Sequence, residues 1–404
     1  MHHLSTQVAV IGAGQAGLAV SRELTALDVE HVVLERASIG QTWRGRWDSF
    51  CLVTPNWTMS LPGFAYGGDD PEGHVPRDDI VSYLDKYASS FGAPVQQGTG
   101  VESLESGPDG TFLLRTSAGE LGAEHVVVCT GAYQRPHRPP AAAAFSPDSL
   151  VIDAADYRNP AALPPGRILV IGSGQTGCQI AEELREAGRE VVLSCGRAPW
   201  LPRRLSGRDI VTWLSRTTFV DMPLAALRSP AERLVANFQT TGRDGGHDLH
   251  YRTLQASGVQ LAGRLAGVDG RRAYFADDLA DSVAFGDARY ADIRQLLTEQ
   301  VASGERLATD LPDPPPFRAD PPHELDLKDI AAVIITSGFR PDYTHWVRFP
   351  AFDAAGFPLT RDGSSTVVPG LYFCGVHFLR KRKSSLLFGV GEDAAIVARS
   401  IAGR

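Results

Sequence analysis

Apolar residues recur along this chain in one order: a short unbroken run, a glycine-rich turn, then apolar positions three or four apart. Val8-Ala9-Val10-Ile11 is the first such run and suits a strand buried on both faces. Gly12-Ala13-Gly14-Gln15-Ala16-Gly17 follows, and Leu18, Val20, Leu24 and Leu27 mark one face of a helix. His31-Val32-Val33-Leu34 predicts a second strand, which ends on Glu35. Residues 167–197 repeat the order. Ile168–Ile171 is the strand, Gly172-Ser173-Gly174-Gln175-Thr176-Gly177 the turn, and a helix and a strand ending Leu193-Ser194-Cys195-Gly196-Arg197 come next. A duplicated βαβ unit is more specific than either copy alone.

Between and after the copies the pattern is coarser. Cys51–Trp57 reads as a strand running into a turn, and Pro76-Arg77-Asp78-Asp79 starts a helix over Ile80–Phe91. Val101 opens a short strand, Asp109-Gly110 marks a hairpin turn, and His125–Cys129 is a strand that stops at Thr130-Gly131. Gln134–Ala144 has the composition of a linker, as does Pro312–Pro316. From Trp200 to Pro316 only short amphipathic runs emerge, at 223–238 and 290–301. Strand pattern returns at Ala331–Ser337 and Leu371–Cys374, each stopping on glycine (Gly338, Gly375), and a helix from about Glu392 to Ile401 closes the chain.

The turns carry the chemistry. In a G-x-G-x-x-G turn the first glycine makes the bend, the second lets a pyrophosphate approach the backbone, and the third lets helix and strand pack. The helix N-terminus faces the phosphates, and an acid ending the second strand accepts from a ribose diol. Gly12, Gly14, Gly17 and Glu35 fill these roles in copy one. Copy two has no acid where Glu35 stands. Ser194 and Arg197 there favour a ribose 2′-phosphate, which a carboxylate would repel. Copy one thus reads as an adenine-dinucleotide site and copy two as an NADPH site. Arg203 and Arg204 are either additions to that phosphate pocket or solvated surface charges.

Composition narrows the class. With 404 residues, 43% hydrophobic and 21% charged, this is an ordinary globular chain of two or three domains. A net charge of −8 argues against nucleic acid as the main partner. No window resembles a signal peptide or membrane span, so the cytoplasm is the expected location. The five cysteines are scattered without C-x-x-C, which argues against a disulfide scaffold or a redox-active dithiol. His247-Asp248-Leu249-His250 is the only metal-like cluster, and its spacing matches no ligand pattern, so no metal is expected. Trp43, Arg44, Arg46 and Trp47 form either an aromatic surface corner or a lid stacking on a cofactor. Asn56 is either a turn residue or a donor to the cofactor. The run Arg380-Lys381-Arg382-Lys383 is either a solvated face or an attractor for an anion.

Two nested dinucleotide units resemble the two-dinucleotide-binding-domain flavoproteins, and within them the class B flavin monooxygenases. Gly40-Gln41-Thr42-Trp43-Arg44 looks like that family's G-G-x-W-R segment, and Val53-Thr54-Pro55-Asn56 resembles its strand bearing an asparagine near flavin C4a. Asp153–Pro160 is similar to its linker fingerprint, with Asp153, Ala154 and Pro147 replacing histidine, serine and phenylalanine. The resemblance implies an α/β fold of glutathione-reductase-like architecture, with an NADPH domain inserted in an FAD domain. The expected limits are 1–160 and 325–404 for FAD and 161–324 for NADPH. It implies FAD contacts at Gly12, Gly14, Gly17, Glu35, Arg36, Gln41, Trp43, Arg44, Trp47, Val101, Thr130, Gly131, Gly375 and Leu386. NADPH contacts are expected at Gly172, Ser173, Gly174, Gln175, Thr176, Ser194, Arg197 and Arg204, a catalytic role at Asn56, and substrate contacts at Arg380 and Arg382. The implied chemistry is reduction of FAD by NADPH, O₂ addition at C4a, and transfer of one oxygen atom from the C4a-hydroperoxyflavin to a small amine. The segments Trp47–Thr58 and His377–Leu387 look like those of aspartate N-monooxygenases that make nitrosuccinate, which implies L-aspartate as substrate. Baeyer–Villiger or sulfur oxygenation of a neutral substrate, a disulfide reductase lacking its dithiol, and a non-catalytic nucleotide-binding redox sensor are the alternatives. A homodimer is the assembly to test for.

Overall fold

The computed structural model describes residues 4–301 and 311–403. β1 (Leu4–Ile11), α1 (Gln15–Ala26) and β2 (His31–Glu35) form the first βαβ unit. β1 lies between β2 and the strand Gly119–Val128, with Val95–Gln97 beyond β2 and Leu371–Phe373 beyond 119–128, all parallel. Val8, Ala9 and Val10 are therefore buried on both faces, as the unbroken apolar run predicts. Leu371–Phe373 comes from the end of the chain and completes a sheet begun at its start. The lower half of Gly119–Val128 pairs antiparallel with Phe112–Thr116, which pairs with Val101–Ser106. α1 and the C-terminal helix Val390–Ile401 cover one face through Leu18, Val390, Ala394 and Val397.

The second sheet is parallel throughout, in the order Val151–Asp153, Ile330–Ile335, Arg167–Ile171, Val191–Ser194, Gln260–Ala262. α2 (Gln41–Arg44) and α3 (Arg77–Ser90) belong to the first unit, and α4 (Gln175–Glu186) follows the second glycine turn. Membership of the second sheet moves the expected domain limits. The two connections run antiparallel side by side, with Arg135–Pro136 against Phe339–Arg340 and His137 N–H donating to the Gly338 carbonyl at 2.8 Å. Residues 151–153 and 330–335, which the limits at 160 and 325 gave to the first unit, thus belong to the inserted one. Two apolar residues and an aspartate at 151–153 are too few to declare their sheet.

Two further expectations change. Cys51–Trp57 is no strand: Cys51 makes a single bridge to Pro76, and Asn56–Thr58 is a turn of 3-10 helix. Pro55 has no N–H for a ladder, and His74 Nδ1 meets the Leu52 and Thr54 carbonyls instead, at 3.1 and 3.2 Å. The run near 290–301 is the end of a longer helix, Leu279–Gln300, which buries Tyr290, Ile293 and Leu297 against Trp200 and Trp213. Gly286 disguises it in the sequence. A Cβ there would lie 2.9 Å from Trp200 Cδ1, so the helix accepts glycine to pack on the indole.

Candidate functional site

The two glycine turns are built alike. Gly12 has φ +104°, and a Cβ on it would stand 2.7 Å from the Cys129 carbonyl oxygen; Gly172 also has φ +104° and would meet Thr336 C and O at 2.8 Å. Thus Cys129-Thr130 is to the first turn what Thr336-Ser337 is to the second. A Cβ on Gly17 or Gly177 would come closer still, 1.8 and 1.9 Å from the Gly12 and Gly172 oxygens. Gly14 differs in kind: it starts α1 in extended conformation and a Cβ there would touch nothing within 4 Å. Its open side is the side from which a phosphate reaches the helix N-terminus.

Glu35 is buried, with Oε2 accepting from Ala13 N–H and Oε1 from Ala37 N–H, both at 2.9 Å. Each oxygen keeps a lone pair for a ribose hydroxyl. Thr99 N–H donates to the Glu35 carbonyl and a Cβ on Gly100 would approach Arg36 Cβ at 3.3 Å, so Arg36 and the segment before Val101 flank the strand end. Gly131 has φ +83° and open space before it, while Gln134 Nε2 donates to Thr130 Oγ1 and the Gly131 carbonyl. Gly375, φ +77°, lets its loop press on the first turn of α1, where a Cβ would lie 2.5 Å from Ala16 Cβ. Trp43 Nε1 donates to Gln15 Oε1 at 2.8 Å, and Gln15 Nε2 to the Ser385 carbonyl at 3.0 Å, which brings Gln41–Trp43, the α1 N-terminus and Leu386 together.

The equivalence of the two copies also relocates the coenzyme-selecting position. Gly12 N–H donates to the Leu34 carbonyl and Gly172 N–H to that of Ser194, so Cys195, not Ser194, replaces Glu35. Ser194 is buried, donates to the Gly263 carbonyl and accepts from Leu265 N–H. Ser173 is buried too, its hydroxyl 2.8 Å from Gly196 N and 2.6 Å from Tyr251 Oη. Both hydroxyls are thus engaged by partners within the protein. Gln175 donates to the Phe238 carbonyl and Thr240, Thr176 is half-buried, and a Cβ on Gly174 would meet Ala236 only at ordinary contact distance, 3.6 Å. Arg197 is exposed just past Cys195, and Arg264, paired with Asp278 at 2.5 Å, lies along Gly196. Arg204 donates instead to the Gly245 carbonyl, and Arg203 is buried in an ion pair with Asp209 beside His74.

Several expected site residues have other work. Trp47 is in the core, edge-on to Phe50 at 5.0 Å, so it is no lid. Arg44 pairs with Asp85 on α3 at 2.6 Å. Asn56 is buried with Nδ2 donating to the Asp70 carbonyl and Oδ1 accepting from Val75 N–H, at 2.8 and 2.7 Å; one amide hydrogen remains. Arg380 is neutralised by Asp362 and buried Asp393, at 3.0 and 2.8 Å. His247 pairs with Glu182, His250 caps the helix Tyr251–Ala256, and the described residues hold no cluster of three or more metal ligands. In their place stands Arg46, half of an adjacent-residue pattern that carried no decisive signal in the sequence. Its guanidinium lies over Phe50 at 5.7 Å and Tyr133 at 5.1 Å, its Nε is buried with no partner, and burial lowers its pKa. Tyr133 in turn is edge-on to His377 at 5.3 Å, and His377 Nδ1 is 3.0 Å from Ser385 Oγ. Burial, with Arg233 nearby, pushes His377 down to about 4, so it is neutral at pH 7. A half-buried guanidinium whose Nε has no partner, an open helix N-terminus and a strand-end carboxylate together fit an anionic adenine dinucleotide.

A doubly nested dinucleotide fold with these two turns defines a flavin-dependent oxidoreductase that takes FAD and NADPH. The profile described as "Pyridine nucleotide-disulphide oxidoreductase" matches residues 9–222, and the chain belongs to that family. An uncharacterized CzcO-like oxidoreductase of Geobacillus kaustophilus is 32% identical over 99% of both chains. An indole-3-pyruvate monooxygenase of rice is 26% identical over 97% of this chain and 90% of its own. The solved flavin monooxygenase of Stenotrophomonas maltophilia shares the fold at TM-score 0.70 with 20% identity, over 99% of each chain. The chain is thus a pyridine-nucleotide-dependent flavin oxidoreductase. Among the described residues no helix is long and apolar enough to cross a membrane.

Proposed function

We propose that this enzyme transfers one oxygen atom from O₂ to the nitrogen of a small amine, with L-aspartate as the first substrate to try. The observation that carries the reading is the junction between the two units. There the loop 376–389 of the flavin unit is roofed by residues 219–224 of the inserted unit: Leu224 N–H donates to the Arg380 carbonyl, Arg382 N–H to that of Met222 and Lys383 N–H to that of Val220. Phe219, Phe378, Phe388 and Trp57 line this junction with rings. Oxygen transfer needs a closed, water-poor space, because water diverts the activated oxygen to hydrogen peroxide.

FAD, when bound and reduced by NADPH, supplies the activation of O₂. The chain's own residues do the rest. Gly12, Gly14 and Gly17 with Arg46 bind the flavin dinucleotide and Glu35 its ribose; Gly131, Gly375 and Leu386 let backbone come close to it. Gly172, Gly174 and Gly177 admit the second dinucleotide, and Arg197 with Arg264 selects its 2′-phosphate. Asn56 contributes its free amide hydrogen, and neutral His377 holds Ser385 in place at the end of the 3-10 turn Arg382–Ser385, ahead of the C-terminal helix.

Purified enzyme tests this directly. The protein should be yellow, bleach with NADPH much faster than with NADH, and consume one O₂ per hydroxylamine formed when an amine is supplied. L-Aspartate should give N-hydroxyaspartate by mass. Stoichiometric hydrogen peroxide with every amine tried, and oxygenated product from a thioether or ketone instead, would replace nitrogen by the alternative substrate class.

A further inference from the structure

The basic run in the roofed loop is not uniform. Arg380 has Asp362 and Asp393; Lys381 has Asp221 at 2.8 Å and Glu392 at 3.2 Å; Lys383 has Asp221 at 3.1 Å and Glu392 at 2.5 Å. Arg382 alone has no carboxylate partner among the described residues. Its guanidinium lies over the Phe219 ring at 4.1 Å and the Phe378 ring at 5.0 Å, Nη2 is 3.5 Å from Met222 Sδ, and Nε is buried with no acceptor. Burial lowers its pKa to about 10, which leaves it charged at neutral pH.

A desolvated cation without a counter-charge is costly to fold, and a methionine of similar length would pack among these rings and Met222 without that cost. Arg233 and Arg46 also have buried, unpartnered Nε atoms, but Arg233 has Asp353 in its field and Arg46 lies on the flavin side beside Tyr133. Arg382 sits where the inserted unit closes on the flavin unit, three residues before Ser385, whose carbonyl is tied to the start of α1 through Gln15. The rings fix the plane of its fork, whose donors meet only the weak thioether acceptor of Met222 among the described residues, and such a fork matches a carboxylate in two-point contact.

We propose that Arg382 is the substrate anchor of this enzyme, binding the carboxylate of an anionic substrate at the roofed loop, while Arg380 serves the fold. This rests on the oxygen-transfer reading only for the location of the substrate. Succinate separates the two ideas, since it offers carboxylates but no nitrogen to oxidise. FAD-loaded wild-type enzyme, R382M and R382K are titrated with succinate and with neutral succinamide, followed by the flavin absorbance difference spectrum, and each protein is melted.

Wild type should give saturable binding of succinate and none of succinamide. R382M should bind succinate at least ~10-fold more weakly, with R382K between the two. The melting temperature of R382M should equal or exceed that of wild type, because an uncompensated buried charge is gone. Absent succinate binding in wild type, equal affinity in R382M, or equal response to succinamide each overturns the proposal. Loss of the oxygen-transfer reading would look different: succinate would bind and R382M would weaken it, yet no amine would yield a hydroxylamine.

Discussion

Within each glycine turn two positions three residues apart should answer the same substitution in opposite ways. A Cβ on Gly17 would stand 1.8 Å from the Gly12 oxygen, where ordinary contact begins at 3.4 Å, so about 1.6 Å of separation must be found between two backbone segments. Gly12 cannot give way, because it is held at a φ of +104° with the Cys129 carbonyl so near that even a Cβ on Gly12 would stand only 2.7 Å from its oxygen. Overpacking of backbone on backbone costs at least about 3 kcal/mol, which lowers the melting temperature by roughly 6–12 °C for a domain of this size. Gly14 has φ −82° and ψ −171°, which alanine adopts without strain, and empty space beyond its Cα. G14A apoprotein should therefore melt within about 2 °C of wild type. Its methyl nevertheless fills the approach to the helix N-terminus. Losing two charge-assisted hydrogen bonds to phosphate, about 3 kcal/mol in all, weakens FAD by roughly 100-fold or more. Apoprotein prepared by acid ammonium sulfate, melted, and titrated with FAD by fluorescence quenching measures both quantities. G14A that binds FAD like wild type, or G17A that melts like wild type, refutes the reasoning.

The second turn and its surroundings give further tests. Arg197→Ala should raise the KM for NADPH about 5- to 30-fold while leaving that for NADH unchanged, as steady-state flavin reduction will show, because only the 2′-phosphate meets this guanidinium. Arg380→Met strands the buried carboxylate of Asp393, which burial already raises above the usual range; calorimetry should find a loss of about 3–5 kcal/mol, partly restored by Asp393→Asn. Burial pushes both His250 and His377 down to about 4, whereas an unfolded histidine titrates near 6.5. Between these values the unfolded chain binds more protons, so their contribution is complete above about pH 6.5 and falls as pH drops toward 4. Melting temperature should decline across that window, and His250→Asn should flatten the decline; an unchanged slope would show that His250 is already charged in the folded protein.

Much of this protein is written in local sequence. A buried strand, a turn requiring glycine and an amphipathic helix are each decided by neighbours a few residues apart, so both βαβ units, α3 and the C-terminal helix are legible from apolar spacing. Gly17 and Gly177 are legible for the same reason, since the oxygen that excludes a Cβ belongs to the first glycine of their own turn, whereas Cys129 and Thr336 on distant strands exclude one at Gly12 and Gly172. Glu35 was readable because its role depends on distance along the chain from that turn.

What tertiary structure alone decided is which partner each polar group meets. The one-residue difference between Ser194 and Cys195 depends on hydrogen-bond register between strands, which no spacing reveals. The basic run 380–383 looks uniform in sequence, yet carboxylates from 221, 362, 392 and 393 neutralise three of its members and leave Arg382 bare. Arg46 and Trp47 are adjacent, and only packing makes one a core indole and the other an unpaired cation beside Tyr133. The limits of the inserted unit likewise follow from which sheet the short strands at 151–153 and 330–335 join. Local periodicity sets what a segment becomes, whereas the pairing of charges and of sheet edges is a long-range choice made when the two units close on each other.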